Sequence, residues 1–384
     1  NQWLYKNIYN HALVFFLNFA VISSVINYLI LFDLISKLSL KILIFSFLII
    51  YPIFFLKFKN ILFSKKFFHS TYKVKNKDIY LFIFIFVLLI VSFFPISDAD
   101  SLVTHLNLPL RIFLYGGYPD NLDYVEFNSF AGSENLLILS LLLKSDNFGS
   151  ILNSFSLIII SWMFIKDNRR LSIFFILSSP LIIFLVSTQK LQLFFAVIYL
   201  LIYLTFKTNN FKSYFFLFII SFLLNFYASA KISYMLFAIP LFIYYLVKIK
   251  SFNVRILFTF FCGISFFAIF FPILLKKYLL FGDPFSPFFE YLKDNPDELT
   301  KRYALALRTS EGWLNSSELL KTFVRPFIPL KLSEISGSLG VGLLLIFLVP
   351  FLKKITSSII LAVIGVMLIL STGQAAPRYL LESY

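Results

Sequence analysis

Asp98 and Asp100 stand two positions apart in Ile96-Ser97-Asp98-Ala99-Asp100-Ser101, directly after a long apolar run, and His105 follows five residues later. Two carboxylates leaving an apolar stretch are partly desolvated. Desolvation raises a carboxyl pKa and makes the group more basic, which a general base for a hydroxyl nucleophile needs. The competing reading is an Asp-Ser helix end with solvated acids. His105 could orient one of these carboxylates or contact a substrate; otherwise it is a solvated side chain on a surface helix. Glu134 precedes another short apolar stretch. Lys190, Lys231 and Arg378, with Tyr379 beside it, lie near the ends of apolar runs, where a cation either anchors the chain at an interface or meets an anionic ligand. Asp283, in Gly282-Asp283-Pro284, reads as a turn-shaping residue. Two acids and one histidine without fixed spacing make no metal site, and a lone Cys262 within an apolar stretch makes neither a disulfide nor a thiolate cluster.

The elements that must position these residues are membrane spans. Of 384 residues, 59% are hydrophobic, 20% aromatic and only 14% charged, with a mean hydropathy of +0.87. A water-soluble domain does not carry that composition. Part of the aromatic excess, 53 Phe, fits a nucleotide bias, so single Phe residues carry little chemical meaning. Stretches long enough to approach the roughly 30 Å of a hydrocarbon core fall at about 11–35, 40–57, 79–97, 148–165, 171–188, 190–206, 213–228, 231–247, 256–274, 339–352 and 355–371. The fold class expected is therefore all-α, a polytopic transmembrane bundle of about eleven spans. The first stretch is long enough to remain as a span rather than serve as a cleaved leader.

A net charge of +15 does not imply nucleic acid, because the basic residues sit in short clusters between apolar runs. Lys57, Lys59, Lys65, Lys66, Lys73, Lys75 and Lys77 precede the first acid of their loop, Asp78, and assign it to the cytoplasm. Alternation then places Lys166, Arg169 and Arg170, Lys207 and Lys212, Lys248, Lys250 and Arg255, and Lys353 and Lys354 on that same side. Of 19 Asp and Glu, only Asp78 and Asp167 fall there. The N-terminus is thus expected in the cytoplasm, and two long loops, about 98–147 and 275–338, outside it. Within the first loop, 102–115 and 135–143 read as short amphipathic helices suited to the membrane surface.

Taken in order, the segments 96–117, 127–143, 178–204, 229–241, 281–290, 336–350 and 376–384 resemble the GT-C superfamily of polyprenyl-phosphate-sugar-dependent glycosyltransferases, in particular bacterial members related to protein mannosyltransferases and aminoarabinose transferases. The resemblance covers about residues 80–384. It implies a GT-C bundle in a bacterial inner membrane, inverting sugar transfer from a polyprenyl phosphate at the outer leaflet, and a glycolipid, polysaccharide or protein as acceptor. Asp98 and Asp100 match the acidic pair that opens the first outer loop, with the base expected at Asp98. Glu134 matches a further acid; with His105 it would bind acceptor or support the base. Arg378, Lys231, Lys190 and Tyr379 would meet the donor phosphate. Relatives often carry an Asp where this chain has Gln189, Lys190 and Gln192, a departure from the pattern. Some relatives use a divalent cation and others none, so no cofactor is certain.

The division expected is a two-span region with its Lys-rich loop at 1–78 and a catalytic region at 79–384, the chain continuing beyond Tyr384. Two other classes share the composition. A transporter or flippase would place charges at the bilayer midplane, whereas these lie at span ends. An O-antigen-type polymerase or ligase would lean on outer-loop arginines, whereas Asp and Glu dominate here.

Overall fold

The computed structural model describes residues 2–46, 48, 79–98, 100–119, 130–166, 173, 176–208, 214–287, 298–302 and 364. The Lys-rich loop at 57–78, most of the expected 40–57 span, the expected spans at 339–352 and 355–371, and Arg378 and Tyr379 lie outside these residues. Among the described residues all regular structure is helical.

The chain order is α1 (Gln2–Leu31), α2 (Ile79–Val91), a π-turn (Ser101–Leu106) running into α3 (Asn107–Tyr115), α4 (Gly132–Leu136) and α5 (Ile138–Leu143). There follow α6 (Phe148–Lys166), α7 (Pro180–Val186), α8 (Gln192–Thr208), α9 (Tyr214–Ala230), a 3-10 turn (Ile232–Tyr234) and α10 (Met235–Lys248). The last helical run is α11 (Phe252–Ser265), a second π-turn (Phe266–Phe270) and α12 (Phe271–Phe281).

Three helical runs are long and apolar enough to cross a membrane: Ala12–Leu31, Phe148–Ile165 and the composite Phe252–Phe281. The others are shorter; α8 and α9 have 17 residues each, a rise of about 25 Å against the roughly 30 Å of a bilayer core. Among the described residues there are three such helices and five shorter apolar ones, while the expected spans at 339–352 and 355–371 and most of that at 40–57 lie outside them. Inside the expected 171–188 span the helix breaks at Ser179 and restarts at Pro180, while Lys190 and Lys231 lie at breaks where one expected span gives way to the next.

α1 lies within the bundle, packed on α4, α8, α9, α12 and the second π-turn. A π-turn shifts backbone hydrogen bonds from i+4 to i+5 and leaves carbonyls to be satisfied from outside. Ser24, Asn27 and Tyr28 share one face of α1 and donate to Ala268 O (2.6 Å), Ile269 O (3.0 Å) and Phe267 O (2.7 Å). Three polar residues in an apolar helix are therefore the caps of a distant turn. The stretch 135–143, expected at the membrane surface, is instead largely interior: every residue from Ala131 to Ser140 is buried. α3 meets the amphipathic expectation, with Leu108 and Ile112 buried and Leu110 and Leu114 exposed.

The C-terminal ends of α1, α2, α9 and α12 meet the N-terminal ends of α6, α8 and α10 at one end of the bundle. Asn147 Nδ2 donates to Phe93 O and Ser150 Oγ to Ser92 O, while Ile35 N–H donates to Gly116 O beyond α3. Gly116 ends α3 with φ +82°, a conformation open to glycine at little cost. Gly117 is required for space, since a Cβ there would lie 1.7 Å from Asp33 Oδ1.

Gly117→Ala is expected to push Asp33 off its partner Lys276, an ammonium that is only 9% exposed. The loss should be about 2 kcal/mol, moderated because Asp33 is half exposed. Thermal unfolding of the purified chain checks it: a lowered midpoint is expected, and an unchanged one would show that the turn tolerates the methyl group.

Candidate functional site

The π-turn after Asp100 aims alternate parts of one short segment in opposite directions. Ser101 and His105 face inward and are buried, while Leu102 and Val103 face out. Asp98 Oδ2 accepts the Ser101 backbone N–H (3.0 Å) and the Ser101 hydroxyl (2.8 Å). The same hydroxyl oxygen accepts the backbone N–H of Gln189 (3.1 Å). Next to Gln189, Lys190 Nζ lies 3.1 Å from Asp98 Oδ2 and 2.9 Å from Asp100 Oδ2, and 4.9 Å from the centre of the Phe184 ring. One buried ammonium thus bridges both carboxylates. Asp98 is tied down, whereas 45% of the Asp100 side chain remains exposed.

Lys190 owes its place to the turn between α7 and α8. Asn153, inside α6, donates from Nδ2 to Leu185 O and Lys190 O, both at 2.7 Å, and accepts Phe194 N–H at Oδ1 (3.1 Å). It clamps both sides of the turn. Gln189 Oε1 accepts Gly149 N–H (2.7 Å), and a Cβ at Gly149 would stand 2.3 Å from that oxygen. Gln189 Nε2 and both polar side-chain atoms of Gln192 are buried without a hydrogen-bond partner among the described residues. Such groups are costly to leave unsatisfied and stand close to the Lys190 turn.

A second acidic centre lies on the other arm of the π-turn. His105 Nδ1 is 3.3 Å from Glu134 Oε1, and both residues are buried. Glu134 Oε2 accepts Ala131 N–H (3.0 Å) and lies 2.8 Å from Ser133 Oγ, which is also 2.7 Å from Ala230 O. Burial pushes the Glu134 carboxyl up, but His105, the nearby Lys231 charge and Ser133 outweigh it and hold the group below its usual range. Asp98 follows the same logic. Burial raises it, and the Ser101 hydrogen bonds and Lys190 together bring it below the ordinary value. This reverses the expectation of a basic, desolvated Asp98: the depth is as foreseen, but the bridging ammonium was not.

A third cluster completes this end. Tyr118 donates to Asn135 Oδ1 (2.7 Å), and Asn135 Nδ2 donates to Asn27 Oδ1 (3.0 Å) in α1. Tyr118 stacks on Phe130, and Lys277 Nζ lies 5.0 Å over that ring while donating to Ser286 O (2.6 Å). Lys276 pairs with Asp33 at 2.6 and 2.9 Å. Asp283 Oδ1 accepts Phe285 N–H (2.9 Å), in keeping with its turn-shaping role.

The structure therefore brings Asp98, Asp100 and Lys190 together, and His105, Glu134 and Lys231 together, joined through the π-turn. His105 is buried and paired rather than solvated. Sequence reading missed Lys276, Lys277, Asp33 and Asn153. A signal existed for the lysines: a dibasic pair at the acid-rich end of an apolar run breaks the pattern of positive charge on the other side. Among the described residues no three His, Cys, Asp or Glu side chains gather as a metal group would require. Beside the π-turn runs a groove of about 610 Å³, with Leu102, Leu106, Leu110 and Leu141 along it and Lys144 and Asp146 at its rim.

The chain belongs to the family described as the DUF1420 N-terminal domain, which it matches over residues 52–384. No curated protein and no solved structure matches it.

Because the folded-state pKa values of Asp98 and Glu134 lie below their ordinary values of 3.8 and 4.5, their contribution to stability is complete above those values and is lost as pH falls through the folded ones. The melting temperature of the detergent-solubilised chain should be flat from pH 7 to about 5 and fall below about 4. In Glu134→Gln the acid-induced fall should be smaller. A wild-type chain that gained stability on acidification would contradict the assignment.

Proposed function

We propose that this member of the DUF1420 family is an inverting glycosyltransferase that moves a sugar from a polyprenyl phosphate to an extracytoplasmic glycolipid, polysaccharide or protein. The observation that carries the reading is the pair Asp98 and Asp100, bridged by the buried Lys190 at the charged end of an apolar helical bundle, with one carboxylate left accessible. In this reading that end faces outward in a bacterial inner membrane, since the Lys-rich loop sets the opposite side as cytoplasmic.

The chemistry needs a base for the acceptor hydroxyl on one face of the sugar and stabilisation of the departing phosphate on the other, through an oxocarbenium-like transition state. We assign the base to Asp100 rather than Asp98. Asp98 already accepts two hydrogen bonds from Ser101 and the Lys190 ammonium, while Asp100 keeps an accessible carboxylate. Lys190 pairs with both carboxylates and fixes their separation. It is thereby a positioning residue rather than a donor-phosphate ligand, a role left to Lys231 and to Arg378 with Tyr379. Arg378 suits a phosphate because its planar fork holds two oxygens at once. The groove lined by Leu102, Leu106 and Leu110 offers an apolar wall beside the same turn.

The test is transfer from radiolabelled polyprenyl-phosphate hexoses and pentoses to cell-envelope acceptors by the full chain in nanodiscs. Asp100→Asn should slow transfer by about 10²–10⁴-fold, with Asp98→Asn less severe because it acts through Lys190. Full transfer in both variants at normal insertion would overturn the reading.

A further inference from the structure

At the end of the bundle away from the carboxylates, the close of α10 and the opening of α11 flank a groove of about 740 Å³, within the range of small-molecule sites. Ile243 and Val247 line it from α10, and Phe252, Ile256 and Phe260 from α11. Spacings of four on each helix make two facing apolar stripes, so the groove is elongated. All five side chains are more than half exposed, and among the described residues nothing covers them.

The groove also has a charged end. Arg255 lines it half-buried, and its Nε–H donates to Ile249 O at 2.5 Å, which fixes the guanidinium in place. Lys248, 5.8 Å over the Tyr244 ring, and the exposed Lys250 stand close by in sequence. No Asp or Glu occurs between Asp167 and Asp283, and among the described residues no carboxylate pairs with these three cations.

We infer that this groove is a binding site for an anionic phospholipid, with one acyl chain between α10 and α11 and the phosphate on Arg255, supported by Lys248 and Lys250. The elongated apolar wall fits a linear chain better than a compact ligand. A pre-positioned guanidinium holds two phosphate oxygens with little further ordering. An uncompensated cluster of three cations favours a headgroup with net negative charge over a zwitterion, whose own cation would be repelled. A second copy of the chain is disfavoured by the same charges, since a two-fold contact here would set the two cationic clusters against each other.

The test is thermal unfolding of the full chain in maltoside micelles, titrated with dioleoyl-phosphatidylglycerol, dioleoyl-phosphatidylcholine or glycerol 3-phosphate. The phosphatidylglycerol is expected to raise the midpoint saturably and to bind about fivefold or more tighter than phosphatidylcholine. Val247→Trp, which fills the groove, and Arg255→Gln should each weaken that response by a similar factor, and Arg255→Lys should restore only part of it. Should Arg255→Gln not fold, the exposed pair Lys248→Gln/Lys250→Gln carries the same expectation. Equal stabilisation by both lipids, stabilisation by glycerol 3-phosphate without a chain, or a Val247→Trp variant whose only change is in oligomeric mass would each overturn the proposal.

Discussion

The ammonium of Lys190 between Asp98 and Asp100 is the interaction on which the charged end of this bundle depends. Two carboxylates that share one ammonium, with Asp98 partly buried, would repel each other without a cation between them. The lysine offsets that repulsion and, with Ser101, holds the Asp98 carboxyl below its ordinary value. In turn, an ammonium that is 3% exposed is tolerable only because it is paired. Neither partner makes sense alone, so the surrounding structure is arranged to deliver them to the same point: Asn153 and Gly149 hold the turn that carries Lys190, and Ser101 holds Asp98 against Gln189.

The same economy runs through the rest of this end. Apolar helices cannot carry charge in their middles, so the ionisable groups emerge where helices stop, and the backbone groups freed there become their partners. Glu134 accepts the Ala131 N–H at the start of α4, and Lys277 donates to the Ser286 carbonyl just beyond α12. The π-turn at Ser101–Leu106 is the link between centres: its wider winding lets Ser101 serve Asp98 while His105, four residues on, meets Glu134. A change at one acidic centre is thus mechanically close to the other.

Much of this was legible in the residues. The helical class and the grouping of acids at helix ends follow from hydropathy and charge patterning, and Asp98, Asp100, His105 and Glu134, singled out in the sequence, do lie together at one end of the bundle. What escaped was tertiary in origin. Gln189-Lys190-x-Gln192 reads as a lapse from a familiar pattern, and only the Asn153 clamp makes it the centre of the site. The roles of Ser24, Asn27 and Tyr28 in α1 have no local signature, because the π-turn they cap lies some 240 residues away. Hydropathy placed the break between 188 and 190 but not the paired lysine around which that turn is built.

The most direct test of this account is a double-mutant cycle on Asp98→Asn and Lys190→Gln, read from unfolding in mixed micelles. If the bridge organises the site, the single changes should each destabilise, and the pair should fall short of their sum by about 1–3 kcal/mol. Additivity within about 0.5 kcal/mol would mean that the two charges are neighbours without dependence, and would contradict the central claim.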